Sequence, residues 1–139
     1  MNMRRPVQAA LFVALMAAAG TAFASPPSSS VALAFKNPIA NIPGKSVSAY
    51  VVSYAPGARS HPHSHSRSAF ITAYVLSGAV RSGVDGGAVK IYHEGESWTE
   101  NPGAHHDVSE NASATQPARV LAIFVADTDD ATLTTIDKD

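Results

Sequence analysis

The sequence predicts an all-β chain folded as a sandwich or barrel, and three features predict it. Beyond the first 24 residues, no stretch repeats its apolar side chains at the 3.6-residue period of an amphipathic helix. The apolar runs are short, about eight in number, and regularly spaced. They are broken by Gly, Pro, Asn and Ser, the residues that tight turns require. No internal repeat at a solenoid period competes with this reading.

The opening segment stands apart. Arg4 and Arg5 precede an apolar run over residues 7–19, and Ala22-Phe23-Ala24 gives a small-x-small cleavage pattern before Ser25. That run holds 13 residues, whereas a spanning helix needs roughly 20. Residues 1–24 are therefore expected to be a cleaved secretory signal, leaving a periplasmic or secreted protein with no membrane attachment. Residues 25–30, with Pro26 and Pro27, read as a flexible exit linker, and residues 31–139 as a single domain.

Each element follows from local pattern. Residues 31–35 form a first strand, closed by Asn37-Pro38. Residues 47–54 alternate, with Val47, Ala49 and Val51 on one face and Tyr50, Val52 and Tyr54 on the other. Strands are expected at 70–76, 79–84 and 88–92, the last two joined through Asp85-Gly86-Gly87, a hairpin signal. Shorter pieces at 96–99 and 107–109 flank Asn101-Pro102-Gly103. Residues 119–126 are apolar almost without interruption and read as a strand buried on both faces. Residues 132–136 are β-rich but terminal, and their state stays open.

Composition excludes several function classes. With no cysteine there is no disulfide, no thiolate chemistry and no lipid attachment through a thiol. Losing Arg4 and Arg5 with the signal takes the formal charge from −1 to −3, which gives no reason to expect nucleic acid or an anionic membrane as partner.

The chemistry lies in the histidines. Five of six fall in two places, His61, His63 and His65 in one and His105 and His106 in the other. A neutral ring nitrogen is available for metal near neutral pH. Side chains two apart on a strand point the same way, so His63 and His65 can direct both rings inward. His61 shares their parity but sits beside Pro62, at the strand's mouth. The second pair, some 40 residues on and just past a Pro-Gly turn, can supply a third imidazole from a neighbouring strand. A solvated His-rich loop that chelates metal adventitiously is the competing reading.

These residues resemble the two motifs of the cupin family. The first motif there runs Gly, five residues, His-x-His, a few residues, Glu, six residues, Gly; here Gly57 is followed after five residues by His63-Ser64-His65 and later by Gly78. The counterpart of the second is Gly95, Pro102-Gly103, His105-His106 and Asn111. The resemblance implies a double-stranded β-helix, a jelly-roll barrel, with one divalent metal ion (Fe, Zn, Mn, Ni or Cu) held by His63, His65 and His106. His105 is the alternative third ligand. It also implies a small-molecule ligand and pairing into a homodimer.

One departure bears on the chemistry. The motif's glutamate falls at Ile71 counted back from Gly78, or at Ala69 or Phe70 counted from His65, and none is a carboxylate. The usual fourth ligand is therefore expected to be missing, which would leave the ion more of its charge. Glu100 shares a face with Trp98 and could reach inward as ligand or base, but a carboxylate beside a turn is expected at the surface. Tyr74 and Tyr92 read as core or rim aromatics, Trp98 as a pocket wall or core residue, and His93 as part of a solvated turn. The function implied is a mononuclear metal-dependent oxygenase acting on a small organic molecule. The alternatives are a non-catalytic metal-dependent binding or sensing module, and a vestigial site.

Overall fold

The computed structural model describes residues 27–138, so the expected signal over 1–24 lies outside the described residues. Ten strands make up the fold: β1 (Ser29–Pro38), β2 (Lys45–Tyr54), β3 (His63–His65), β4 (Phe70–Ser77), β5 (Ala79–Val84), β6 (Lys90–His93), β7 (Ser97–Glu100), β8 (His105–Asn111), β9 (Ala118–Asp127) and β10 (Thr134–Ile136). They pair antiparallel into two five-stranded sheets, β1-β2-β9-β4-β7 and β10-β3-β8-β5-β6. Among the described residues no helix is long and apolar enough to cross a membrane.

Most expected strands appear with small changes of extent, and the larger changes have physical causes. β1 begins at Ser29, inside the stretch read as linker, because its backbone pairs with β2 from Ser29↔Tyr54 onward. β8 is seven residues rather than three. Its sequence is mostly polar, so its extent comes from pairing with β3 and β5 on either side and not from an apolar run. The open case at the C-terminus resolves as β10, paired to β3 through Thr134↔His65 and Ile136↔His63.

β9 is central, bonded to β2 from Lys45↔Asp127 to Tyr54↔Ala118 and to β4 on its other side. It is not buried on both faces. Ala118, Val120, Phe124 and Ala126 are buried, while Leu121, Ile123 and Val125 are half-exposed, because only the inner face meets the second sheet.

The core divides into two clusters. One gathers Tyr54, Val75, Val80, Trp98 and Val120, the other Ala69, Ile71, Phe124 and Ala126. Among the described residues the largest fully buried side chains are only Ile71, Val75 and Val80. Small residues such as Ala73, Ser109 and Ala122 line much of the interior, and they leave a cavity of about 500 Å³. The sheets are thus held apart by aromatics at intervals rather than filled between, and that space adjoins the histidines.

Candidate metal centre

Backbone pairing brings the histidines together. β3 and β8 are neighbours, with His63 directly opposite His106, so their side chains leave the same face at cross-strand contact distance. His65, two residues along β3, leaves that face as well. One ring nitrogen from each of His63, His65 and His106 lies within 4.8 Å of the other two. The ring centroids of His63 stand 4.9 Å from those of His65 and 5.1 Å from those of His106. The two-apart spacing and the third ring from β8 therefore meet as the sequence predicts.

The choice between His105 and His106 is made by strand parity. His106 points inward and is buried. His105 points outward, where Nδ1 lies 2.7 Å from Asp107 and Nε2 2.8 Å from Asp137. Those two carboxylates, Asp137 first, raise its pKa above the ordinary value. His61 stays outside β3 at the cavity rim, its carbonyl accepting from His63 Nδ1 at 2.8 Å.

Glu100 corrects the expectation of a surface carboxylate. It is 2% exposed, at the end of β7, where alternation turns Trp98 and Glu100 inward and leaves Ser97 and Thr99 outside. Trp98 Nε1 donates to Glu100 Oε1 at 2.9 Å. His106 Nδ1 lies 3.3 Å from Oε1, and His65 Nε2 lies 3.0 Å from Oε2. Parity with Trp98 was the available signal; burial was set by the opposing sheet. Trp98 serves both readings made for it, packing on Tyr92 at 4.7 Å and standing edge-on to His106 at 6.2 Å. Tyr74 is on the outer face, 42% exposed, and is not a core aromatic. His93 ends β6 and is exposed.

Outer contacts fix the rings. A carbonyl can only accept, so His63 Nδ1 carries the proton it gives to His61, and His65 Nδ1 carries the one directed at Leu133 O, 3.3 Å away, beside Thr134 Oγ1 at 3.1 Å. Both Nε2 atoms are left as lone-pair donors. His106 Nε2 is held 2.9 Å from Ser82 Oγ. The segment carrying Leu133 is itself pinned, since Asp130 accepts from Ser66 and Ser68 and from the backbone of Thr132. Such outer partners orient metal-binding imidazoles.

The electrostatics suit a cation. Burial lowers the pKa of His63, and it pushes that of His106 down to about 4, so both are neutral and ligand-competent at pH 7. Burial would raise the Glu100 carboxyl, but His65, His106 and Trp98 outweigh it and hold the group below its ordinary value. Glu100 Oε2 is nonetheless buried without a hydrogen-bond partner, because His65 Nε2 is near it but not aligned to donate. The ring nitrogens of His63, His65 and His106 form a donor set that fits a divalent ion, and the unsatisfied Glu100 oxygen lies beside two of them.

The His106 shift makes metal-free protein acid-sensitive. Its folded pKa of about 4 lies below the ordinary 6.5, so the unfolded chain takes up the proton first as pH falls. Stability is intact above pH 6.5 and drains away toward pH 4. Chelator-treated protein is expected to lose about 2–3 kcal/mol between pH 7 and pH 4.5 through this group. Urea unfolding at the two pH values measures it, and in His106→Gln that part of the loss should vanish.

Comparison with known proteins bears on the same residues. A family model described as a cupin domain matches residues 50–124, more than half the chain and inclusive of all three histidines. No curated protein matches the sequence. Among solved structures, an uncharacterized conserved protein with a double-stranded β-helix domain from Klebsiella pneumoniae is 17% identical, with 84% of this chain and 90% of that chain covered and a TM-score of 0.62. Oxalate oxidase in complex with the substrate analogue glycolate is 24% identical over 73% of this chain and 53% of that chain, TM-score 0.57. The DMSP lyase DddQ from Ruegeria pomeroyi is 20% identical over 65% of this chain and 42% of that chain, TM-score 0.54. The chain spans about half the length of these two enzymes or less, and the likeness is one of fold.

Proposed function

Because this chain belongs to the cupin family, we propose that it is an exported protein holding one divalent metal ion through His63, His65 and His106, and that it is an oxygenase acting on a small organic molecule. The observation that carries the reading is the convergence of three ring nitrogens within 4.8 Å on a cavity of about 500 Å³. When bound, the ion would polarise an oxygen-bearing ligand or activate dioxygen or water. The chain's own residues do the rest. Val52, Ile71, Val120 and Phe124 line the cavity and suit an apolar molecular body. Trp98 and Phe124 stand edge-on to His106 and His65 and limit how their rings can turn. Export is supported by the leader pattern of residues 1–24.

A non-catalytic binding or sensing module is the second reading, favoured by how few free acid–base groups the cavity offers. Beyond the histidines and Glu100, its ionisable lining is Lys36, Tyr50, Tyr54 and Asp130. Tyr54 is hydrogen-bonded to Ser60 and Ser109, and Asp130 to Ser66 and Ser68.

Elemental analysis of untagged, dialysed protein is expected to find one divalent ion per chain. Fe-, Mn-, Ni- and Cu-loaded samples should then be offered oxidisable phenols and small keto acids in a dioxygen electrode. Uptake above the free-metal rate supports the oxygenase; tight ligand binding with no turnover in any sample supports the module. Protein that retains no metal defeats both.

A further inference from the structure

We propose that Glu100 is a fourth metal ligand, supplying from β7 the carboxylate that the family's first motif supplies from β4. The inference rests on the metal-centre reading above and adds a donor to it. Its first support is register. Ile71, where the motif glutamate falls counted back from Gly78, is the direct cross-strand partner of Glu100 in the β4–β7 pair. Directly opposed side chains in an antiparallel pair leave the same face of the sheet with Cβ atoms about 5 Å apart. Ile71 and Glu100 both line the cavity. A carboxylate lost from one position can therefore be replaced from the other by a side chain of the same length, with no change of fold.

The second support is the unmet demand of the carboxylate. His65 commits its Nδ1 proton to Leu133 and Thr134, which leaves a lone pair on Nε2. Nε2 stands 3.0 Å from Glu100 Oε2, and Oε2 has no hydrogen-bond partner. A buried carboxylate oxygen without a partner is costly unless a positive charge lies beside it. The separation also suits shared coordination, since two bonds of about 2.1 Å at right angles set their donors about 3.0 Å apart. Glu100 Oε1 meanwhile accepts from Trp98 Nε1 at 2.9 Å, which orients the group and leaves Oε2 free to bind.

The donor set then spans both sheets. His63, His65 and His106 come from the β3–β8 pair of one sheet, and Glu100 from the edge strand of the other. A divalent ion so held keeps one net positive charge rather than two, contrary to the three-neutral-ligand site expected from the missing motif glutamate.

The test uses Co(II) as probe, with calorimetric titration for affinity and the visible d–d spectrum for the ligand field. Glu100→Gln keeps the shape and a carbonyl for Trp98, and it is expected to weaken Co(II) binding by more than the roughly 10–100-fold that an outer-shell partner carries and to change the spectrum. Ile71→Glu in the Glu100→Gln background is expected to regain most of the lost affinity. Affinity and spectrum unchanged in Glu100→Gln would overturn the proposal while leaving the three-histidine site standing. A loss that Ile71→Glu does not repair would also overturn it, assigning Glu100 to positioning instead. Wild-type protein that binds no Co(II) would remove the metal-centre reading itself. Should Glu100→Gln fail to fold, a crystal structure of Co(II)-loaded wild type decides, with Oε2 expected at about 2.0–2.2 Å from the ion and a separation beyond about 3 Å excluding it.

Discussion

His106→Ala should lose the stoichiometric metal while keeping the barrel, and His63→Ala should do the same. Each removes one of three imidazoles that converge within 4.8 Å. Deleting a ligand should cost more than the roughly 10–100-fold in affinity that outer-shell partners typically carry, so dialysed variants are expected to contain well under one ion per chain. The fold should survive because neither ring belongs to the two apolar clusters of the core. His106→Ala leaves Ser82 Oγ without its partner, a cost of about 1–3 kcal/mol. Elemental analysis beside far-UV circular dichroism reads both quantities. One tight ion per chain retained in both variants would place the metal elsewhere. His105→Ala is the control, since that ring faces outward to Asp107 and Asp137 and its loss should leave the ion in place.

The second large effect concerns the turn that joins β4 to β5. Gly78 has φ of 72°, and a Cβ there would stand 2.5 Å from Pro117 O and 3.0 Å from Ala118 Cα. Both are backbone atoms at the start of central strand β9, so no side-chain rotation relieves the clash. Gly78→Ala is expected to destabilise the protein by about 2–5 kcal/mol, combining left-handed backbone strain with overpacking. Gly86→Ala isolates the first part. Its φ is 67°, but a Cβ there meets nothing within 4 Å, and about 1 kcal/mol is expected. Denaturant unfolding of the pair separates strain from collision. Equal losses would mean that the close approach of the two backbones carries no energy.

How much of the site could be read from the chain depends on the kind of information each residue carries. His63 and His65 share a face because a strand alternates, and that is a local property. Assigning the third ring to His106 needed the motif spacing, and its place opposite His63 is read only from the strand pairing. Glu100 could be matched to Trp98 by the same parity, yet the expectation went to the surface. Nothing near it in sequence says that a second sheet will close over β7. Tyr74, read as a core or rim aromatic, lies on the outer face because β4 presents Ala73 and Val75 inward.

Asn111 shows the same division. In sequence Asn111-Ala112-Ser113 fits a glycosylation pattern. In the fold its amide is buried and donates to Ala55 O and Gln116 O, while Oδ1 accepts from Ser113 N. A residue holding three segments together offers no free amide to a modifying enzyme.

Local alternation, turn residues and motif spacing determine by themselves the all-β class, most of the strands and the three histidines, since each rests on neighbours within a few positions. Which side chain stands beside the histidines from the opposite sheet was decided only by tertiary structure. The pairing of β4 with β7 sets Ile71 opposite Glu100, residues 29 positions apart, and their register depends on how two sheets close around a core of small side chains. The Glu100 carboxylate thus stands beside His65 and His106 in space and outside the motif in sequence.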